Sequence, residues 1–153
     1  MVETLDALEI YQRHLDIVSR AFWLEEWDEL IRHMRLPGHT RLRDADIEVT
    51  TPEQAVAMHK ELRICYRRIG ASDYCRIGYQ AAFTDKAQTK IVGRHRTHVV
   101  RSGCYVLPVY DCEMKVQLHD EVWQACGINC SVSNKDVNII GAVANLQDHL
   151  AQA

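Results

Sequence analysis

Apolar residues recur every three to four positions at Leu8, Tyr11, Leu15, Val18 and Phe22. That period predicts a first helix with one buried stripe, opened by Asp6-x-x-Glu9 as a capping box and running to about Arg20. A second helix is expected over about Leu24 to Arg35. Its stripe is Trp27, Leu30, Ile31 and Met34, acids favour its N-terminal end, and Pro37-Gly38 stops it. His39–Arg43 and Ile47–Thr50 read as a small hairpin or two edge strands. Thr51-Pro52-Glu53-Gln54 opens a third helix, with Thr51 as cap and Gln54 closing the box. Ala55, Met58, Leu62, Cys65, Tyr66 and Ile69 give that helix one face, and Gly70 ends it.

From Asp73 onward the period changes. Runs rich in Val, Ile, Tyr and Thr cover Asp73–Phe83, Thr89–Arg101, Cys104–His119 and Glu121–Val132, with turn residues between them. They predict an antiparallel meander of about four long strands. In the third run Val106, Tyr110, Cys112, Met114, Val116 and Leu118 share a face, opposite Asp111, Glu113, Lys115, Gln117 and His119. Pro108 interrupts that run and marks a bulge or an edge. A last helix is expected over about 135–150, with Ile140, Val143 and Leu150 as its stripe. The order predicts an α+β domain: a curved antiparallel sheet, about four long strands plus a short hairpin, wrapped around three helices. The helices and the bent sheet enclose a cone with a pocket.

Composition narrows the class. The chain has 153 residues, 18 Lys+Arg against 21 Asp+Glu, and a net charge of −3. This fits one globular domain over 1–153 and argues against nucleic-acid binding. No apolar run reaches the length of about 18 residues that spans a bilayer. The N-terminus carries acids where a signal peptide carries bases. A cytoplasmic protein that does not bind membranes is therefore expected, and its six cysteines are read as reduced structural thiols. No Cys-x-x-Cys occurs, and Cys126 with Cys130 has no second pair at ligand spacing, so neither metal nor cofactor is expected.

The candidate chemistry lies on the meander. On the second long strand Ile91, Gly93, His95, Thr97 and Val99 form the less charged face, so His95 and Thr97 are expected inward and His98 outward. A His in an apolar pocket is a candidate general base near neutral pH. Tyr110 and Tyr79, both read on apolar faces, are candidate donors to a developing oxyanion. Tyr11, Trp23 and Trp27 are expected to wall the pocket mouth, with Thr97 and Met114 also in contact with ligand. Asp28 is read as favouring the N-terminal end of its helix. Arg94, Arg96 and Arg101, with Arg76 from the preceding strand, are read as an outer basic stripe pairing across strands with Asp111 and Glu113.

Three segments carry a resemblance to a known family. They are Glu26-Trp27-Asp28-Glu29-Leu30, Thr51-Pro52-Glu53-Gln54, and Gly93-Arg94-His95-Arg96-Thr97 followed by Tyr105–Val116 and Asp120-Glu121-Val122-Trp123. In this order, over about residues 5–133, they resemble the nuclear transport factor 2-like (cystatin-like α+β) superfamily and its SnoaL-like branch. The resemblance implies a conical pocket but no single reaction, since the superfamily holds isomerases, cyclases, dehydratases, non-catalytic subunits and binding modules. His39-Thr40-Arg41-Leu42-Arg43 has no carboxylate where the steroid-isomerase branch has its Asp base. The functional expectation is a small-molecule-binding protein, or a small isomerase-, cyclase- or dehydratase-like enzyme, acting on an apolar, aromatic or polycyclic ligand. The alternative is a non-catalytic oligomer-forming subunit resembling the small subunit of ring-hydroxylating dioxygenases. The resemblance also implies a homodimer through the outer sheet face, where Tyr74, Val100 and Tyr105 are expected.

Overall fold

The computed structural model describes residues 5–137. Helix α1 (Ala7–Trp23) starts with the expected capping box: Asp6 Oδ1 accepts from the Glu9 N–H, and Glu9 Oε2 from the Asp6 N–H. Helix α2 is only Trp27–Arg32. The expected extension to Arg35 is wrong, because Met34–Arg41 forms strand β1, and Pro37-Gly38 lies within that strand. β2 (Asp46–Val49) completes the small hairpin. Helix α3 (Pro52–Arg68) begins with Thr51 as cap, but Gln54 Oε1 reaches back one residue further than expected, to the N–H and hydroxyl of Thr50.

The meander forms as expected: β3 (Asp73–Phe83), β4 (Lys90–Arg101), β6 (Tyr110–His119) and β7 (Val122–Cys130). Near Pro108 the third run breaks, leaving Cys104–Tyr105 as a two-residue β5. The sheet order is β2-β1-β7-β6-β4-β3. It is mixed rather than wholly antiparallel, because β1 runs parallel to β7, with His39 beside Gly127 and Arg41 beside Asn129. A short helix α4 (Asn134–Val137) begins the expected last helix; the remainder of that expectation lies outside the described residues. Among the described residues no helix is long and apolar enough to cross a membrane.

Helix α1 lies against the concave face of the sheet. Tyr11, His14, Leu15, Val18, Ser19 and Phe22 are its buried stripe. The Tyr11 ring packs flat onto β4 at Gly93, where an added Cβ would stand 2.4 Å from the ring. Gly78, the neighbour of His95 on β3, is the second close approach; a Cβ there would meet the Tyr11 ring at 3.1 Å. This pair of glycines lets the helix sink onto the sheet. The edge of β3 is covered by Gln12, whose amide donates to the Arg76 carbonyl and accepts from the Gly78 N–H. That amide replaces a missing strand neighbour.

Gly93→Ala should destabilise the protein by about 1–3 kcal/mol, because the ring of a fully buried Tyr11 has nowhere to move. Urea denaturation measures this; an unchanged midpoint would show that the helix is not seated on the sheet in this way.

Candidate functional site

Residues facing the cone form rows across the sheet. One row is Arg76, Thr97 and Tyr110, and the next is Gly78, His95, Cys112 and Cys130. A third is Ala81, Gly93, Met114 and Ile128. Between these rows, α1 and α3 lie two adjoining chambers of about 80 Å³ each. They share Val18, Thr40, Met58, His59, Arg76 and Ile128. His95, Thr97, Tyr110, Tyr74, Cys112 and Cys130 line the first, and His14, His33 and Met114 the second.

His95 and Thr97 point inward as expected, and His98 lies on the outer face against Tyr105. Tyr110 and Met114 line the chambers. Tyr11 does not line them; it stands behind His95, its hydroxyl 2.6 Å from Nδ1. Trp23 and Trp27 also lie elsewhere. Trp23 stacks on Tyr74 under the guanidinium groups of Arg63 and Arg67, and Trp27 lies beneath Lys60. Neither tryptophan lines the two chambers; Trp23 packs between β3 and α3, and Trp27 against α3. Asp28 is exposed.

The largest correction concerns β3 from Asp73 to Tyr79, which is inside out relative to expectation. Tyr79 is on the outer face, where its hydroxyl donates to Asp111 and the Arg96 guanidinium lies 4.4 Å from its ring centre. Gly78 faces His95 and Gln80 faces Arg94, so Tyr79 is the extra residue of a bulge that inverts the alternation. Below the bulge, Tyr74 and Arg76 face inward. Arg76 is therefore absent from the outer stripe, whereas Arg94 and Arg96 do pair across strands with Glu113 and Asp111.

Arg76 is 9% exposed. Its Nε donates to Ser19 Oγ at 2.8 Å and its Nη2 to the Leu15 carbonyl at 3.5 Å. Among the described residues no carboxylate lies within 4.0 Å of it. Its charge is permanent and acts on His14, His59, His95 and Tyr74. Burial, then Arg76 and His14, pull His95 down to about 2. Burial, then Arg76 and His33, pull His14 down to about 3. The half-buried His59 falls to about 4, again mainly through burial. These imidazoles are neutral at physiological pH. His95 is thus a poor general base, contrary to the expectation of a basicity near neutrality.

Hydrogen-bond valence in the cone is incompletely filled. The His14 Nδ1–H donates to the Trp123 carbonyl, so Nε2 carries a bare lone pair, and it has no partner. His95 Nε2 is also buried without a partner. The Tyr66 and Tyr110 hydroxyls meet at 2.5 Å. One hydrogen suffices for that contact, so the pair holds a second hydrogen for another acceptor. Cys112 and Cys130 bring their sulfurs within 3.1 Å, whereas a register shift puts Cys126 out of step with Cys130. Sequence reasoning does not single out His14, His59, Tyr66 or the inward Arg76 as site residues. The one usable signal is the spacing of Tyr11, His14, Leu15, Val18 and Ser19 on a single helix face.

No family profile matches the chain, and no curated protein does. Solved structures do. An NTF2-like protein of unknown function from Shewanella oneidensis MR-1 superposes with a TM-score of 0.61 at 10% identity, covering 80% of this chain and 97% of that one. Aln2 from a Streptomyces species gives 0.59 at 12%, covering 88% and 98%. The hexachlorocyclohexane dehydrochlorinase LinA-type3 of Novosphingobium barchaimii LL02 gives 0.55 at 12%, covering 80% and 83%.

The buried histidines make stability depend on pH. His14 and His95 are neutral in the fold and take up a proton near pH 6.5 once unfolded. Their contribution is complete above that pH and declines below it, by about 1.4 kcal/mol per pH unit for each. Urea titrations between pH 7 and pH 4.5 should give a slope of at least two protons; a flat profile would contradict neutral burial. With the helix-lined cone and mixed sheet in place, the comparisons give one conclusion: the chain has the nuclear transport factor 2-like fold.

Proposed function

We propose that this protein binds a small molecule in the cone, and that binding rather than proton abstraction by His95 is the pocket's primary task. The observation that supports this most is the pair of buried nitrogens without partners, His14 Nε2 and His95 Nε2, beside open volume. Buried polar atoms are nearly always satisfied, and a bound group would satisfy these two. Volume limits the ligand. An engineered cavity of about 150 Å³ takes one benzene ring, so two chambers of about 80 Å³ suit a single ring or a short chain rather than a fused polycycle. One fold neighbour acts on hexachlorocyclohexane, which is also a single six-membered ring. If the site has chemistry, it is stabilisation of developing negative charge by Arg76 and the Tyr110 hydroxyl, which needs no strong base.

Thermal denaturation with a panel of single-ring compounds (toluene, phenol, benzamide, benzoate) tests the reading. A ligand at a hundred times its Kd adds about 2.7 kcal/mol, which is readily seen as a higher midpoint. No shift with any member would overturn it.

The oligomer-forming alternative has its own support. The bulge turns Cys75, Ile77 and Tyr79 outward, and Ile77 is 52% exposed on the edge strand. We propose a homodimer through this outer face. Light scattering should report two copies, and Ile77→Glu should give a monomer with an unchanged unfolding midpoint. A wild-type monomer at every concentration would exclude it.

A further inference from the structure

Arg76 is held by one edge only. Its bonds to Ser19 Oγ and the Leu15 carbonyl use Nε and one N–H of Nη2. The opposite edge, Nη1 with the second N–H of Nη2, has no protein partner among the described residues. That edge is a fork of two parallel donors, the geometry that a carboxylate accepts with both oxygens. Arg76 borders both chambers, so any ligand in the cone lies beside it.

The surroundings have one sign. Among the described residues no Asp or Glu lines either chamber, and the exposed Arg35 stands at the edge of the second. A cation taken out of water without a counter-charge is strongly unfavourable unless something else compensates it. Its neighbours supply hydroxyls, thiols and neutral imidazoles, none of which balances a full charge. The remaining surfaces are apolar: Val18, Phe22, Leu42, Met58, Leu62 and Ile128.

We propose that the cone binds a small organic carboxylate, one ring or a short apolar chain in size, with its two oxygens on the free Nη1–Nη2 edge of Arg76. The apolar part of the ligand lies against Met58 and Ile128, which both chambers share. This rests on the reading of the cone as a binding pocket and adds the charge of its ligand. An uncharged ligand of the same shape leaves Arg76 uncompensated, so the site selects for charge first and shape second.

Benzoate and benzamide differ by little more than that charge, and toluene removes the polar group altogether. Calorimetric titration of the wild-type protein should give benzoate an affinity at least about tenfold above benzamide, as expected of a charge-assisted pair. Arg76→Met should remove this preference, and Arg76→Lys, which keeps the charge without the fork, should retain part of it. In ¹H–¹⁵N spectra of the wild type, benzoate should move the Arg76 Nε–H signal, a readout that stands even where the Met variant does not fold. Equal affinities for benzoate and benzamide overturn the proposal but leave the binding pocket intact, as does binding of toluene alone. Benzoate binding that leaves the Arg76 signal unmoved overturns it as well. No binding by any of the three overturns the proposal, and with no shift from phenol either, the binding pocket as well.

Discussion

The bond from Arg76 to Ser19 and Leu15 ties together the three parts of this molecule that matter for its pocket. It fixes α1 against β3, it places a permanent positive charge inside the cone, and through that charge it adds to the effect of burial on the histidines around it. His14, His59 and His95 are all pulled down by burial and then by this cation. Tyr74 is pushed up to about 12, with burial outweighing the opposing pull of Arg76. Among the described residues the surroundings of Arg76 are therefore electrically simple: one fixed cation beside the neutral imidazoles of His14, His59 and His95. Such an interior holds the same charge state over a wide pH range in which surface residues titrate freely.

Much of this is legible in the chain. Both long helices, the meander, and the inward faces of β4 and β6 follow from period and turn residues, because those strands are central and alternate without interruption. That alternation puts His95, Thr97, Tyr110 and Met114 inward, which is where the structure has them. What fails does so for identifiable reasons. β3 is an edge strand with apolar residues on its solvent face, so hydrophobicity points the wrong way, and the bulge at Tyr79 breaks the alternation that would correct it. The Trp27–Met34 stripe fits a helix, but the chain from Met34 is captured by β7, a partner remote in sequence. Local propensity cannot report such a partner. Trp23 and Trp27 fall outside the pocket, with the charged ends of Arg63, Arg67 and Lys60 over their rings.

The fold is compatible with several classes of function, and the similarity to solved structures extends to architecture alone. Distinction comes from the lining. Among the described residues the cone has no carboxylate, its His14, His59 and His95 are held neutral, and it has an arginine fork and a spare tyrosine hydrogen. Such a lining supports the proposal that the cone holds negative charge rather than removes protons. The same argument separates inside from outside. The outer face carries paired surface charges of little energetic weight. The inner face carries one unpaired charge of considerable weight.

The parallel pairing of β1 with β7 also bears on how the domain is made. β1 leaves the ribosome before any strand of the meander, whereas its neighbour on one side is the last of those strands. The first two helices and the β1–β2 hairpin must therefore wait with their apolar faces uncovered while the meander is synthesised. The β1 side of the cone has its partner only once Gly127 to Asn129 are available to pair with His39 to Arg41. Truncation before β7 would leave not a smaller pocket but two separate pieces of sheet, β2-β1 and β6-β4-β3, with four edges in place of two.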